Sequence, residues 1–505
     1  MRLHRRFLGT DIGVVAAVVL ATVLFVVLDS GSTGDYSTVA AVVTVEPSGP
    51  GRAIPDGFLG LSLEYTAIEA YAGTDPTAVN PVLVQLIRNL SPGQRAALRI
   101  GGDTTDSTWW PVPGLARPPG VTYSLTAQWL QVAHSLAAAL RARVIAGVNL
   151  EADRQLLAAN EAQALLDGIG RHYVEALELG NEPALYSLFT WYRTAAGHQV
   201  KGRGHGYDFA GFVRDFTQIS ASLPNVPLAG PALNDSGWIS RLRQFLAAEP
   251  RVKVVTVHRY PLQVCFVRPG SPQYPTLPHL ISRTASAGLA ERLAPVITAA
   301  HARGLPLRLD EINTVACGAK VHVSRTFAAA LWSLDVLFQL ARAGVDGVNF
   351  HTFPGAGYNL FSFIHSGGRW SGSVAPGYYG MLMFAEAAPH GARLVRASGS
   401  QPSWLRSWAT RSRAGTIRVV LINTGSAPRL VSVAIRGSSA RATLVRLTAP
   451  SLDAPSGITL GGRSFDAPTN TGKLAGHFER VALERSGGRY LVPMPPYSAA
   501  LITVR

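Results

Sequence analysis

Two carboxylates are singled out by where they fall in the sequence. Glu182 follows the apolar run of "LELGNEPALY" (177–186), held between Asn181 and Pro183, and Glu311 comes near the end of "LRLDEIN" (307–313). Two carboxyl groups opposed across a cleft are what cleavage of a glycosidic bond requires. One delivers a proton to the leaving oxygen, and the other attacks or stabilises the anomeric carbon. Asn181 would then lie beside the sugar, where an amide can donate to the 2-hydroxyl as positive charge develops on the ring. Pro183 removes a backbone donor and stiffens the turn that aims Glu182.

The elements that must position these groups are short apolar runs alternating with helical stretches. The expected strands are "FLGLSLEY" (58–65), "LRIGG" (98–102), "RVIAGVNL" (143–150), "EALELGNE" (175–182), "PLAGPAL" (227–233), "VVTVHRY" (254–260), "LRLDEIN" (307–313) and "GVNFHTF" (347–353). Segments 124–142, 207–223, 286–304 and 324–344 repeat apolar residues at three- and four-residue intervals and are predicted helices. The pattern predicts an α/β fold with a (β/α)8 barrel, whose functional residues sit at the C-terminal ends of the strands. Those ends carry Glu64, Asp103, Asn149, Asn181, Glu182, His258, Tyr260, Glu311, Asn313 and His351, although only 15% of the chain is charged. Any one of them could instead cap a helix or satisfy loop amides. Their recurrence from strand to strand favours a site.

After about residue 385 short alternating strands and Gly/Ser/Pro turns predict an all-β sandwich. The early run "AVVTVEPSG" (41–49) has no barrel role and is expected to pair with that sheet. The resulting division is 1–34 for a membrane-targeting helix and spacer, 35–54 for a linker and the joining strand, 55–384 for the barrel and 385–505 for the sandwich.

The chain has 505 residues, 47% of them hydrophobic, and a formal charge of +15 carried almost wholly by arginine. Arginine and alanine enrichment can reflect genomic base composition, so a composition-driven surface and an attraction for polyanions both stay open. No zinc-type spacing, P-loop or dinucleotide fingerprint occurs, so neither cofactor nor nucleic-acid partner is expected. At the N-terminus, "MRLHRR" precedes an uncharged apolar segment from Ile12 to Leu28. That segment is long for a signal-peptide core and just sufficient to span a bilayer. It predicts a signal anchor with Arg2, Arg5 and Arg6 in the cytoplasm, or else a cleaved signal peptide. In either case the remainder is extracytoplasmic, membrane-anchored or secreted.

"LRIGGDTTDSTWW", "LELGNEPALY", "TVHRYPLQVC" and "LRLDEINTVACG", in this order and spacing, resemble glycoside hydrolase family 79, the heparanase and β-glucuronidase family. The resemblance covers about residues 40 to 505. It implies a retaining double displacement with Glu182 as acid/base and Glu311 as nucleophile. Asn181 would contact the sugar, and Tyr260, beside His258, would stand near the nucleophile. The loop carrying Ala316, Cys317 and Gly318, together with Tyr358 in "GAGYNL", would read a uronic acid carboxylate. The chain departs from the family pattern at Asp103, where a neutral residue is expected, and at Ala316, where a larger one is.

Glu64 and Asp103 are candidates for sugar hydroxyls, or for capping. Lys201, Arg203 and His205 are candidates for an acidic aglycone, or for a solvated loop. Trp109, Trp110 and Trp191 would stack on sugars, or pack loops. Cys265 and Cys317 follow strands six and seven in an oxidising compartment and are expected to form a disulfide, the alternative being two free thiols. No metal site is expected. The reading is a retaining hydrolase of β-glucuronides, with a carbohydrate as partner. The alternatives are the same mechanism on a neutral sugar (galactoside, glucoside or xyloside) or a non-catalytic carbohydrate-binding surface protein. Two carboxylates kept with Asn181 count against the last, since a binding module needs no such pair.

Overall fold

In the computed structural model, which describes residues 36–234, 236–438 and 440–505, eight parallel strands close into a barrel. They are β1 (Leu59–Leu63), β2 (Ala97–Ile100), β3 (Arg143–Val148), β4 (Val174–Leu179), β5 (Leu228–Leu233), β6 (Val252–His258), β7 (Leu307–Ile312) and β8 (Gly347–Thr352). Each pairs with its neighbours in chain order, and β8 closes on β1 with Phe350 opposite Leu61. Strands buried on both faces read as continuous apolar runs, which is why all eight are visible in the sequence. The expected targeting helix over 1–34 lies outside the described residues. Among the described residues no helix is long and apolar enough to cross a membrane.

The intervening helices start where side chains satisfy their free amides. Thr126 accepts from the Trp129 amide at the head of Ala127–Leu140, and Asp208 from the Gly211 amide at the head of Phe209–Ser220. The helix predicted over 286–304 is instead two, Arg283–Arg292 and Ala294–His301. Pro295 has no N–H to continue the ladder and its ring collides with the preceding turn, so it is tolerated only in the first turn of a new helix.

Beyond the barrel lies a 12-stranded sheet. The N-terminal strand Val39–Glu46 is inside it, antiparallel to Arg393–Gly399 and parallel to Arg429–Ile435. The predicted sandwich therefore takes the form of one continuous sheet folded over. Val43, Val419, Val433, Tyr490 and Ile502, from strands on both sides of that junction, share one apolar core. Its other face meets the barrel through helices Phe327–Ala343 and Pro376–Ala387. Phe338 stacks on Trp408 with centroids 5.4 Å apart, and Asp335 accepts from the Trp408 indole at 3.0 Å.

These two helices approach closely at Gly380, where an added Cβ would lie 1.9 Å from the Ala330 carbonyl oxygen. In an open helix, alanine would be favoured over glycine by about 1 kcal/mol. Here overpacking costs about 1–3 kcal/mol, and because the obstacle is backbone, the upper part of that range applies. Gly380→Ala should therefore lower Tm in a calorimetric scan. A rise would show that the two helices separate at no cost.

Candidate active site

The residue on which the rim is built is Arg99 in β2. Leu98 and Ile100 point into the outer helical layer, so the alternation of the strand sends Arg99 into the barrel, where it is fully buried. Its Nε donates to Glu178 Oε2 at 2.7 Å and lies 3.3 Å from Asp310 Oδ2. Nη1 donates to Glu311 Oε2 at 2.7 Å and to Ser62 Oγ at 3.2 Å, and Nη2 donates to Asn181 Oδ1 at 2.8 Å. One guanidinium thus ties β1, β2, β4 and β7 together beneath the cleft.

Glu182 stands above this floor on a sharp turn. Gly180 has φ +73°, and a Cβ there would lie 2.4 Å from the Tyr186 hydroxyl, so glycine is required. Glu182 itself has φ 50° and ψ 52°, in the left-handed region, immediately before the 3-10 turn Pro183–Leu185. A non-glycine residue there costs on the order of 1–3 kcal/mol and persists because its surroundings hold it. The Asn181 amide donates to Asp106 Oδ2 at 2.8 Å, and the Glu182 amide to the Ala232 carbonyl at 3.1 Å. The Glu182 carboxylate accepts from Asn234 Nδ2 at 2.5 Å and lies 2.9 Å from His258 Nδ1.

Glu311 lies deeper. Tyr260 donates to its Oε1 at 2.9 Å, while His258 Nδ1 and His351 Nδ1 stand 4.0 and 3.9 Å from its Oε2. Burial alone would raise its carboxyl. The charges of His351, His258 and Arg99 and the Tyr260 hydrogen bond outweigh burial and hold it well below the usual carboxylate range. One carboxylate oxygen each from Glu182 and Glu311, with His258 between, lie within 4.8 Å of one another. Glu178, His258 and Asp310 converge equally closely, in a way that could suit a cation. Arg99 already supplies that cation. Burial and the Glu178 charge push Asp310 well up, whereas Arg99 overcomes burial to hold Glu178 down.

Asp103, Glu182, His258, Tyr260, Glu311, Gly318 and Tyr358 all line one cleft of about 1530 Å³. Asp103 is exposed at its mouth and accepts from Asn181 Nδ2 at 3.1 Å. Desolvation by the walls, then the negative charges of Glu64, Glu311 and Glu182, push its carboxyl up to about 8. Because the group opens to solvent, we give the carboxylate repulsion more weight than the desolvation. Asn181 lies just behind the wall, buried. His351, a strand-end residue of β8, joins the cleft, and its imidazole is raised because the charge of Glu311 and the hydrogen bond and charge of Glu64 outweigh burial. Cys265 and Cys317 form a disulfide with Cα atoms 5.9 Å apart, joining the loops after β6 and β7.

Other candidates are placed elsewhere. Glu64 is buried and engaged, accepting from the Asp103 and Thr104 amides and the Thr104 hydroxyl and meeting His351 Nε2 at 3.2 Å. It shapes the loop and does not line the cleft. Arg203 turns inward to Asp215 at 2.9 Å and the Glu151 carbonyl at 2.7 Å, while Lys201 and His205 are exposed away from the cleft lining. Trp109 and Trp191 pack with Val121, Ala152 and Leu157, and Trp110 packs against the barrel core, so the indoles support loops and do not form a sugar platform.

The structure adds Arg99, Asp310, Glu178, Ser62 and Asn234 to the site. An arginine at an inward position of an otherwise apolar strand was the available signal for Arg99. Asn234 falls one residue beyond the expected end of strand five.

No family profile matches the chain, and no curated protein matches it in sequence. Solved structures do match it. A 4-O-α-L-rhamnosyl-β-D-glucuronidase from Fusarium oxysporum 12S, in its Rha-GlcA complex, superposes with TM-score 0.72 at 21% identity, over 92% of this chain and 100% of that one. A GH51 arabinofuranosidase from Xanthomonas axonopodis pv. citri gives 0.66 at 15% identity over 93% and 100%. A xyloglucanase of glycoside hydrolase family 44 from Paenibacillus polymyxa gives 0.59 at 12% identity over 92% and 99%. At these identities the likeness is one of fold.

Removing the Arg99 cation tests the floor of the site. Glu178 and Glu311 are held below their ordinary values, so their contribution to stability is present above the usual carboxylate range and is lost as pH falls through the depressed values. Arg99→Met should cost about 3–5 kcal/mol at pH 7, since it leaves buried carboxylates uncompensated. The deficit should shrink toward pH 4 as they take up protons. Urea unfolding at the two pH values measures this, and an equal deficit at both would show that the guanidinium does not hold the carboxylates ionised.

Proposed function

We propose that this chain is a retaining β-glycoside hydrolase of the family 79 type, acting on β-glucuronides. The observation that carries the reading is the opposed pair Glu182 and Glu311, with carboxylate oxygens within 4.8 Å across one cleft. Retaining enzymes place their carboxyl groups roughly 5–5.5 Å apart, whereas inverting ones leave roughly 6.5–9.5 Å for a water molecule. Glu311, kept ionised by its cationic floor, attacks the anomeric carbon as Glu182 passes a proton to the departing oxygen. Glu182 then takes a proton from water, the oxygen of that water displaces Glu311, and the sugar leaves with its original configuration. Asn181, held by Arg99 through its carbonyl, donates through its amide to Asp103 and so positions that cleft residue for a sugar hydroxyl.

Three features support a uronic acid as the sugar. Gly318 and Tyr358 line the same cleft as the carboxylate pair. Cys317, Gly318 and Ala319 have φ of 64°, 89° and 67°, a run of left-handed residues that turns the loop sharply beside the disulfide. Desolvation and the negative charges of Glu64, Glu311 and Glu182 push the Asp103 carboxyl up, toward the neutral character expected at that position. The likeness to the Fusarium oxysporum rhamnosyl-glucuronidase points the same way. The disulfide and the N-terminal apolar segment suit an extracytoplasmic site of action.

Glu311→Ala should abolish turnover. With an activated aryl glycoside, Glu182→Ala should still form the glycosyl-enzyme, stall before its hydrolysis and recover turnover with added azide. Near wild-type rates in both variants would remove the assignment. An aryl β-glucuronide should exceed the matching β-glucoside in kcat/KM by at least about two decades, roughly 2.7 kcal/mol, and Tyr358→Phe should narrow the gap. A preference for the glucoside would leave the retaining reaction in place and move the enzyme to neutral sugars.

A further inference from the structure

Single exposed apolar side chains are ordinary on a protein surface, but here several are gathered at one edge of the cleft. Leu185, Leu188 and Phe189, in the loop after β4, and Phe266, in the loop after β6, line the same cleft as Glu182 and Glu311. Phe189 and Phe266 are 45% and 63% exposed, and they are the only exposed phenylalanines among the described residues. Their rings face each other with centroids 5.9 Å apart, tilted by 42°. Leu188 beside them is 57% exposed. Phe266 follows Cys265 directly, so the disulfide to Cys317 fixes its loop to the one that leads out of β7. Leu185, Leu188 and Phe189 follow Glu182 in the same loop, and Phe266 meets Phe189, so the group stands on the side of the cleft that carries the carboxyl proposed to protonate the departing oxygen.

We propose that Leu188, Phe189 and Phe266 form a subsite for an apolar aglycone, so that the natural substrate is a glycoside of an aromatic or alkyl alcohol and not an internal linkage of a polysaccharide. The proposal rests on the glycosidase reading. Sugar chains need hydroxyl partners on both sides of the scissile bond. Arg243, Gln263, Gln273 and Arg292 also line the cleft, but this edge gathers two phenyl rings and a leucine, whose contact with water an apolar group relieves more fully than a sugar does. Rings already fixed at a rim lose little side-chain freedom when a flat or chain-like group seats against them.

Binding of poorly cleaved 1-thio-β-glycosides, compared by competitive inhibition, separates aglycone contact from leaving-group reactivity. The methyl, octyl and phenyl forms should carry whichever sugar the enzyme hydrolyses. The phenyl or octyl form should bind at least about tenfold more tightly than the methyl form, about 1.4 kcal/mol. The double variant Phe189→Ser/Phe266→Ser should bring that ratio close to one. An octyl preference would point to a lipid-like aglycone and a phenyl preference to an aromatic one, and either supports the subsite. A wild-type ratio near one, or a ratio that survives the double substitution, overturns the proposal while the retaining reaction stands. Absence of hydrolysis of every β-glycoside overturns the glycosidase reading and this proposal with it.

Discussion

A guanidinium taken out of water carries a desolvation penalty of several kcal/mol, and it persists in a barrel interior only if its surroundings repay that penalty. Around Arg99 they do so with three carboxyl groups, a serine hydroxyl and an amide oxygen, drawn from three other strands and the loop after β4. The charges do not balance one to one. Three acids and one cation would leave a buried excess of negative charge, and two effects reduce it: burial and the Glu178 charge push the Asp310 carboxyl up toward its neutral form, and His351 and His258 add to the field of Arg99 at Glu311. The floor of the site is therefore a mixed cluster in which one acid is pushed up while two are held down. One of those two is Glu311.

The difference between the two carboxylates of the cleft follows from depth. Glu311 is on a barrel strand, near the cationic floor, and the field of that floor keeps it ionised although it is buried. Glu182 is lifted one turn higher by the Gly-Asn-Glu-Pro segment, partly open to solvent, and its contacts are the side chains of Asn234 and His258. A nucleophile must remain charged through a catalytic cycle, while an acid/base must exchange its proton with a leaving group and then with water. The left-handed turn at Glu182 sets that height. Its strain is held by backbone hydrogen bonds on either side, from Asn181 to Asp106 and from Glu182 to Ala232.

The legible parts of this structure were those with a one-dimensional signature. Parallel strands covered on both faces must be apolar throughout, so all eight barrel strands stand out between amphipathic helices, and the groups at their ends can be read off directly. Val39–Glu46 could be assigned to the second sheet because it is a strand with no place in the barrel. What stayed hidden depends on partners distant in sequence. Arg99 reads as a polar residue in a four-residue strand, and nothing local announces that Glu178, Asp310 and Glu311 surround it. Trp109 and Trp191 have the composition of a sugar platform, yet Val121, Ala152 and Leu157 cover them. Phe189 and Phe266 have the composition of core and are exposed. Pro295 was the reverse case, a local signal strong enough to divide the helix predicted over 286–304.

The division between strands and loops separates the reaction from its selectivity. Arg99, Glu311 and His258 are strand residues in a packed barrel, where small displacements are resisted by the whole layer of helices. The groups that border the rest of a ligand, Phe189, Phe266, Gly318 and Tyr358, lie on the loops after β4, β6, β7 and β8. Loops are the less stable part of a fold, yet a selective site needs them as ordered as the strands. The Cys265–Cys317 disulfide answers that need for two of the four, joining the loop that carries Phe266 to the loop that carries Gly318. It couples the apolar edge of the cleft to the side proposed to hold the sugar carboxylate, and both to the strand that carries Glu311.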